Sequence, residues 1–177
     1  MNKKIPFKTA VVTGLISAVF AIGSFILLDS LNNKQNWGFQ PATLRGIIGL
    51  LTLVILGIGI YSGMKSIKRS NAGQLTYGNA VLAGLTVGVI TGLLMALLGF
   101  VYYHFINPGF TAYMVDAGRK EMLATGAGEA QITYQTNALR QEYSPTGQAI
   151  QAIFGQSVCG LLISLVMAFF VKSKKAK

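Results

Sequence analysis

Charged side chains are scarce in this chain, and acidic ones are the scarcest. Asp, Glu, Lys and Arg make up 11% of the 177 residues, whereas soluble domains contain about 25%. Only five residues are acidic against fifteen that are Lys or Arg, and 52% of the residues are apolar. This composition is unlike an ordinary soluble domain and favours a membrane protein.

Residues that commonly bind metals or carry catalysis are also few. Cys159 is the single cysteine, which excludes a disulfide within the chain and a zinc site built from cysteines. His104 is the single histidine, and with Glu121 or Glu129 it lacks the spacing of a metal site. The sequence has no P-loop, HExxH or GxSxG motif. We therefore predict no enzymatic activity and no cofactor, and a membrane enzyme that uses His104 with these acids is a third-ranked hypothesis.

Long apolar runs dominate what the sequence does contain. They cover approximately residues 9–31, 44–64, 80–103 and 148–171. Each exceeds the roughly 20 residues that a helix needs to cross a hydrocarbon core of about 30 Å. We predict an all-α polytopic membrane protein, a single domain over residues 1–177 with four transmembrane helices. The first run is longer than a signal-peptide core of about 7–15 residues, so we expect it to remain uncleaved.

The basic residues alternate between the segments that join these runs. Ten of them lie in the two tails and the second connection without any acid, whereas the first and third connections are neutral overall. The positive-inside rule then places both termini in the cytoplasm. This explains the net charge of +10 by contacts with anionic lipid head groups, and we expect no nucleic-acid partner. The ten residues are Lys3, Lys4, Lys8, Lys65, Lys68, Arg69, Lys172, Lys174, Lys175 and Lys177.

Small residues recur at every fourth position of the third run, which places them on one face of a helix. In lipid no hydrophobic force joins helices, so association depends on the close approach that small residues permit. A GxxxG pair in the second run and a weaker row in the fourth run offer matching faces, which favours packing within one chain. The predicted packing residues are Ala80, Gly84, Gly88, Gly92, Ala96, Gly59, Gly63 and Gly160.

The longest connection, approximately residues 108–143, has helical periodicity of its own. Asn107 and Pro108 are suited to begin a helix, and Asp116 and Lys120 are spaced for an ion pair. Residues 126–128 (GAG) interrupt the pattern. We predict an extracytoplasmic hairpin of two amphipathic helices, which either caps its own transmembrane helices, as we prefer, or docks a partner.

Polar side chains near or inside the runs are few. Asp29 and Arg45 lie close to the outer ends of the first two runs, and we expect both to extend to water rather than pair. Gln156 is the most deeply placed amide and must find a hydrogen-bonding partner. Bonding between helices is the simpler role for Gln156. The alternative is a polar path between protomers, lined by Gln156, Thr91 and Asn79.

Residues 75–80 (LTYGNA) lead into the third run, and residues 102–110 (YYHFINPGF) leave it. With the final run and its lysine tail, these segments make the chain resemble the bacterial family numbered 4199 among the domains of unknown function. The resemblance extends over essentially the whole chain, and INP is its strongest element. It implies a small four-span protein of the bacterial cytoplasmic (inner) membrane. It implies no activity and no catalytic residues.

Two functional hypotheses follow from these observations. The leading one is a non-enzymatic accessory or assembly subunit, acting in a homo-oligomer or a larger membrane complex. The alternative is a small-solute transporter or channel, formed within or between protomers. A water-accessible path past Gln156 would favour the alternative, and a dry interior would favour the first.

Overall fold

The computed structural model describes residues 6–35 and 37–173. Over these residues the chain is helical and contains no strand, which confirms the all-α prediction. The helices are α1 (Phe7–Gln35), α2 (Pro41–Ser70), α3 (Tyr77–Val101), α4 (Phe110–Ala124), α5 (Glu129–Glu142) and α6 (Pro145–Val171). A π-helical turn, Tyr102–Ile106, extends α3. Lys3, Lys4, Lys174, Lys175 and Lys177 lie outside the described residues.

Four helices, α1, α2, α3 with its π-helical turn, and α6, are long and apolar enough to cross a membrane. We call them the membrane helices, and they make the chain a multi-pass membrane protein. Each extends beyond its predicted apolar run because polar residues add turns at the ends. Local signals set two of the starts. The Thr76 hydroxyl accepts the backbone N–H of Asn79 at 3.3 Å, and the Ser144 hydroxyl accepts that of Gly147 at 3.0 Å.

The membrane helices lie side by side, and α3 contacts each of the other three. One end of the group carries α4 and α5, and we call it the hairpin end. At the other end, the basic end, lie Lys8, Lys65, Lys68, Arg69 and Lys172. Lys68 donates a hydrogen bond of 2.8 Å to the carbonyl of Val171, the last residue of α6. A cation there stabilises the unpaired carbonyls of a helix C-terminus.

The contact between α3 and α6 is a backbone contact. A Cβ added at Gly88 would lie 2.7 Å from the carbonyl oxygen of Gln156 and 2.9 Å from Cα of Gly160. One turn along, a Cβ at Gly92 would lie 2.9 Å from the carbonyl oxygen of Ala152. Glycine is therefore required at these positions by space and not by backbone conformation.

The remaining predicted packing residues lie at other contacts of the same chain. Gly84 faces Ser164 and Ile60, and Gly59 faces the Thr13 side chain of α1. A Cβ at Gly63 would lie 3.1 Å from Val87. Ala80 is fully buried, and Ala96 is 6% exposed. All eight small residues therefore face neighbouring parts of the chain, and the GxxxG pair meets α1 and α3.

The hairpin end is built on α4. Phe110 and Met114 are buried there against Phe25, Ile48 and Tyr143. α5 lies on α4 and buries none of its own residues. The predicted ion pair between Lys120 and Asp116 is present at 2.6 Å on the exposed side of α4. It contributes about 0.3–0.5 kcal/mol, as exposed pairs of this spacing do.

The predicted start of α4 at Asn107 and Pro108 is wrong. α4 begins at Phe110, and Gly109 occupies the N-cap position without a side-chain cap. The backbone N–H of Asn107 instead closes the π-helical turn on the carbonyl of Tyr102 at 2.8 Å. The chain must reverse between α3 and α4, so residues 107–110 form a tight turn, in which the N–H of Phe110 donates to the carbonyl of Asn107.

Candidate functional site

Arg45 lies near the start of α2, with its guanidinium surrounded by four aromatic rings. Its Cζ atom is 5.1 Å from the ring centre of Phe110, 5.5 Å from Tyr143, 5.8 Å from Phe25 and 5.9 Å from Tyr103. We call these four rings the Arg45 cage. They come from α1, the π-helical turn, α4 and the turn before α6. Each ring can attract the cation by roughly 0.5–2 kcal/mol.

Hydrogen bonds fix the guanidinium further. One nitrogen donates to the Tyr103 hydroxyl at 3.1 Å, and another donates to the Gln148 side-chain oxygen. Gln148 in turn donates to the carbonyl of Glu142 at 2.9 Å. The expectation that Arg45 simply extends to water is therefore wrong, since its guanidinium contacts four aromatic rings and bonds to Tyr103 and Gln148. Burial raises the pKa of Tyr143, the charge of Glu142 adds to that effect, and the charge of Arg45 opposes it.

No acid neutralises Arg45 within the described residues, where the one ion pair joins Lys120 to Asp116. Asp29, the acid considered as a partner from the sequence, accepts a hydrogen bond of 2.6 Å from the Tyr113 hydroxyl instead. It also accepts one from the Asn33 amide at 3.3 Å. Arg45 is therefore a partly buried cation held by neutral groups. Such a cation is energetically unfavourable unless a ligand or a partner binds to it.

A cavity of about 290 Å³ lies beside Arg45, between all four membrane helices. Part of its wall is apolar and comes mainly from α1 and α2, including Ala18, Phe25 and Ile48. The other part is polar, and we call the whole space the Arg45 cavity. Its polar wall consists of Arg45, Thr52, Tyr103, Gln148, Gln151 and Gln156.

The three glutamines place amide groups along the length of the cavity. Gln148 and Gln156 are eight residues apart on α6, which corresponds to about 12 Å along the helix axis. The Oε1 atom of Gln156 is buried and has no hydrogen-bonding partner in the described part of the chain. An amide left unpaired at this depth in lipid is unfavourable by roughly 1–3 kcal/mol. A molecule inside the cavity could bond to it.

The other residues of the predicted polar path lie elsewhere. Thr91 is fully buried, and its hydroxyl has no partner among the described groups, but it does not line the cavity. Asn79 belongs to the first turn of α3 at the basic end. It precedes Thr91 by twelve residues, or about 18 Å of helix. The structure therefore places Asn79 far from Gln156. A polar path between protomers that includes both residues remains a prediction.

The cavity occupies only the half of the membrane helices nearer the hairpin. Beyond Gln156, the backbones of Gly88 and Gly160 meet closely. The core on that side contains Leu56, Ile60 and Val87, each with no exposed surface. The interior is thus polar and partly open near the hairpin and tightly packed toward the basic end.

Sequence reasoning singled out Gln156 and named Arg45, but it missed the cage. Tyr103 is aimed at Arg45 by the π-helical turn, in which Tyr102 is buried and its ring centre lies 5.1 Å from that of Tyr103. Turns of this type are frequent at functional sites. The tyrosine pair at residues 102–103, shortly before INP, was the one local feature of the sequence that pointed to the cage.

A family model described as "Protein of unknown function (DUF4199)" matches residues 8–173. The chain belongs to this family. The match extends from the start of α1 through Ser173 and so includes every residue of the Arg45 cage and cavity, and it confirms the resemblance drawn from the sequence. No curated protein and no solved structure matches the chain.

The DUF4199 description assigns no activity. The third hypothesis, a membrane enzyme that uses His104, therefore depends on the local geometry of that residue. Its ring is exposed and stacks on Phe100, with centres 5.4 Å apart and planes at 10°. Residues 6–35 and 37–173 contain no group of three or more His, Cys, Asp or Glu side chains suited to a metal. The absence of enzymatic activity stays a prediction.

Tyr113 gives this DUF4199 protein a pH-dependent contact between α1 and α4. Burial raises the pKa of Tyr113 to about 12, and its hydrogen bond to Asp29 and the charge of Asp29 add to this rise. The folded pKa is higher than the unfolded value of 10.0. The stabilisation is therefore fully present below pH 10 and is lost as pH rises through 12.

We predict that one tyrosine ionises late and that Tyr113→Phe removes it. In an absorbance titration of tyrosinate, the difference between wild type and Tyr113→Phe should have a midpoint near pH 12. Asp29→Asn should lower that midpoint only partly, because burial is the larger cause. A difference curve centred near pH 10, the ordinary pKa of tyrosine, would contradict the contact.

Proposed function

We propose that this protein is a non-enzymatic carrier of the bacterial cytoplasmic membrane, which holds a small polar solute in the Arg45 cavity. One observation carries the proposal: a cavity of about 290 Å³ between four membrane helices, with a cation and three amides in its wall. Polar groups at membrane depth are expensive to retain and usually mark the path of a solute or an ion. The proposal corresponds to the transport hypothesis, with the cavity inside one chain.

A carrier fits the geometry better than a channel. A channel needs a continuous path, but between the cavity and the basic end Leu56, Ile60 and Val87 have no exposed surface, and the backbones of Gly88 and Gly160 meet closely. Carriers hold their substrate near the middle of the membrane and open to one side at a time. Gln156 is the twelfth of the 27 residues of α6, which is close to the middle of the span.

We propose that the hairpin end faces away from the cytoplasm and that both termini are cytoplasmic. Lys8, Lys65, Lys68, Arg69 and Lys172 support this orientation because they gather at the opposite end. Anionic lipid head groups would contact that basic end. In this arrangement the four membrane helices form a bundle that is capped on its outer side.

The accessory-subunit hypothesis has one observation in its favour. α5 buries none of its residues, and Tyr134 is 74% exposed on it. The hairpin could therefore present α5 to a partner, with the Arg45 cavity unused. The two functions differ in whether the cavity admits a solute, which can be measured.

The test uses a cysteine placed in the cavity wall, Gln151→Cys, in a Cys159→Ala background. In right-side-out vesicles we expect the membrane-impermeant reagent 2-sulfonatoethyl methanethiosulfonate to label this cysteine, and in inverted vesicles we expect slower labelling. Gly49→Phe should slow labelling about tenfold because it fills the cavity. Gly49 lines the cavity, and a Cβ there meets no atom within 4 Å, so the variant should fold.

Gly46→Phe is the matched control for Gly49→Phe. Gly46 lies one turn away on α2, a Cβ there also meets nothing within 4 Å, and it does not line the cavity. If Gly49→Phe slows the labelling and Gly46→Phe leaves it unchanged, the cavity is accessible to solute. Absence of labelling from both sides, or equal rates in the two variants, would reject the carrier and leave the accessory function.

A further inference from the structure

We propose that the ligand of the Arg45 cavity is a small oxyanion, a carboxylate or a phosphate, that carries an apolar body. The inference rests on the proposed function, since it names the chemical class of the solute. It depends on the charge of Arg45, on the donors that Arg45 still has free, and on the division of the cavity wall into polar and apolar parts.

The charge of Arg45 favours an anion over a neutral solute. The guanidinium is a cation, and no carboxylate lies within ion-pair distance of it in the described ranges 6–35 and 37–173. Aromatic faces and amide oxygens lessen the loss of hydration but do not neutralise the charge. An anion in the cavity would supply the missing charge where the surroundings screen it weakly.

The free donors of Arg45 favour an oxyanion. A guanidinium has five N–H donors, and two hydrogen bonds are made, to Tyr103 and Gln148. Those contacts and the Arg45 cage hold the planar group in place before a ligand arrives. A preorganised guanidinium with free donors can bind a carboxylate or a phosphate through two parallel hydrogen bonds. Halide ions could not use that geometry.

The rest of the wall defines the body of the ligand. Ala18, Ala21, Ile22, Phe25, Ile48 and Met95 form an apolar surface in the same cavity. At about 290 Å³, the space is at the lower limit of typical ligand pockets, which suits a metabolite-sized molecule. The unpaired Oε1 of Gln156 would accept a hydrogen bond from a hydroxyl or amine group on the ligand, away from its charged end.

The first test compares two thiol reagents of opposite charge at the cysteine of Gln151→Cys. The anion is 2-sulfonatoethyl methanethiosulfonate, and the cation is 2-(trimethylammonium)ethyl methanethiosulfonate. Rates are normalised to Tyr134→Cys on α5, where the native side chain is 74% exposed. With Arg45 present, the anion should react about tenfold faster than the cation. Arg45→Gln should remove this preference, and Arg45→Lys should keep part of it.

The outcomes separate the inference from the proposed function. Labelling by both reagents without a charge preference would overturn the oxyanion and leave a solute-accessible cavity intact. A preference that persists in Arg45→Gln would overturn it as well, since Arg45 would not be the recognising group. No labelling by either reagent would overturn the cavity function itself. If Arg45→Gln fails to fold, the ratio of the anion rate to the cation rate, measured with Arg45 and with Arg45→Lys, still tests the inference.

The second test finds the source of the oxyanion. Full-length protein in phosphatidylcholine nanodiscs is heated with sodium benzoate or benzamide. Benzoate should raise the unfolding midpoint by about 2–4 °C, and its neutral analogue benzamide should not. If nanodiscs that contain phosphatidylglycerol give the same rise without benzoate, the oxyanion is the phosphate of an anionic lipid, since zwitterionic phosphatidylcholine has a phosphate but no net charge. A benzoate effect in both lipids indicates a free solute, and equal effects of benzoate and benzamide would reject the inference.

Discussion

Gly88→Leu should prevent α3 and α6 from packing and leave little folded protein in mild detergent. A Cβ at Gly88 would lie 2.7 Å from the carbonyl oxygen of Gln156 and 2.9 Å from Cα of Gly160. Both obstacles are backbone atoms of a continuous helix, so neither can rotate away as a side chain would. We expect a destabilisation of about 3 kcal/mol or more, at or above the upper end of the usual range for overpacked sites. Size-exclusion chromatography and unfolding in mixed micelles measure it.

Gly155→Leu is the control for Gly88→Leu. Gly155 is also a glycine within a membrane helix, but a Cβ there meets nothing within 4 Å. Gly155→Leu should unfold like wild type. That result would show that leucine destabilises the protein only at the contact between α3 and α6, and not at every glycine of a membrane helix. Gly88→Ala should be destabilised less than Gly88→Leu, yet more than Gly155→Ala. Wild-type stability of Gly88→Leu would mean that α3 and α6 do not meet at this backbone contact.

The part of the fold that the sequence predicted depends on short-range regularities. Helix length follows from the apolar runs, and the small-residue row on α3 follows from a spacing of four. Both signals lie within one helix, so neither requires knowledge of the neighbours. The break between α4 and α5 is equally local, since Gly126 has a φ of 74° that favours glycine.

The candidate site could not be predicted in the same way because its members are far apart in sequence. Phe25, Tyr103, Phe110 and Tyr143 meet at Arg45 only after four parts of the chain have packed around α2. The rule that charges near span ends extend to water describes an isolated helix and fails where aromatic rings surround the charge. The prediction that Asn107 caps α4 fails because it considered only the residues that follow. The N–H of Asn107 closes the π-helical turn that precedes it.

Two unsatisfied groups of the described chain lie together, although the hydroxyls of Ser17, Thr91 and Thr136 also lack a partner there and lie elsewhere. Arg45 lacks an acid, and the oxygen of Gln156 lacks a donor, and both line one cavity. At the basic end, by contrast, Lys68 bonds to the carbonyl of Val171, and the hydroxyl of Ser173 donates to that of Gly73. Natural proteins tend to break such rules where they function. A cation without an acid and an amide oxygen without a donor in one cavity are the reason we propose that the protein functions through the Arg45 cavity.

Phe110→Ala should detach α4 from the membrane helices and open the Arg45 cage. Phe110 is 1% exposed, with its ring centre 4.5 Å from that of Tyr103 and 5.6 Å from that of Phe25. Buried Phe→Ala changes cost about 3–5 kcal/mol. The loss of a cation–π contact to Arg45, whose Cζ is 5.1 Å from the ring, adds to this cost. Unfolding in mixed micelles measures the stability, and proteolysis between α4 and α5 measures the docking of the hairpin.

Phe105→Ala, five residues earlier, separates the cage from a general effect of losing a phenylalanine. Phe105 is 70% exposed at the same end of the molecule, so its removal should change stability by less than about 0.5 kcal/mol. If Phe110→Ala leaves the hairpin as resistant to protease as Phe105→Ala does, the cage does not hold α4 in place. If the hairpin becomes sensitive while the membrane helices stay folded, Phe110 joins the hairpin to the cavity. The docking of α4 would then be coupled to the proposed ligand site, because the Phe110 ring also contacts Arg45.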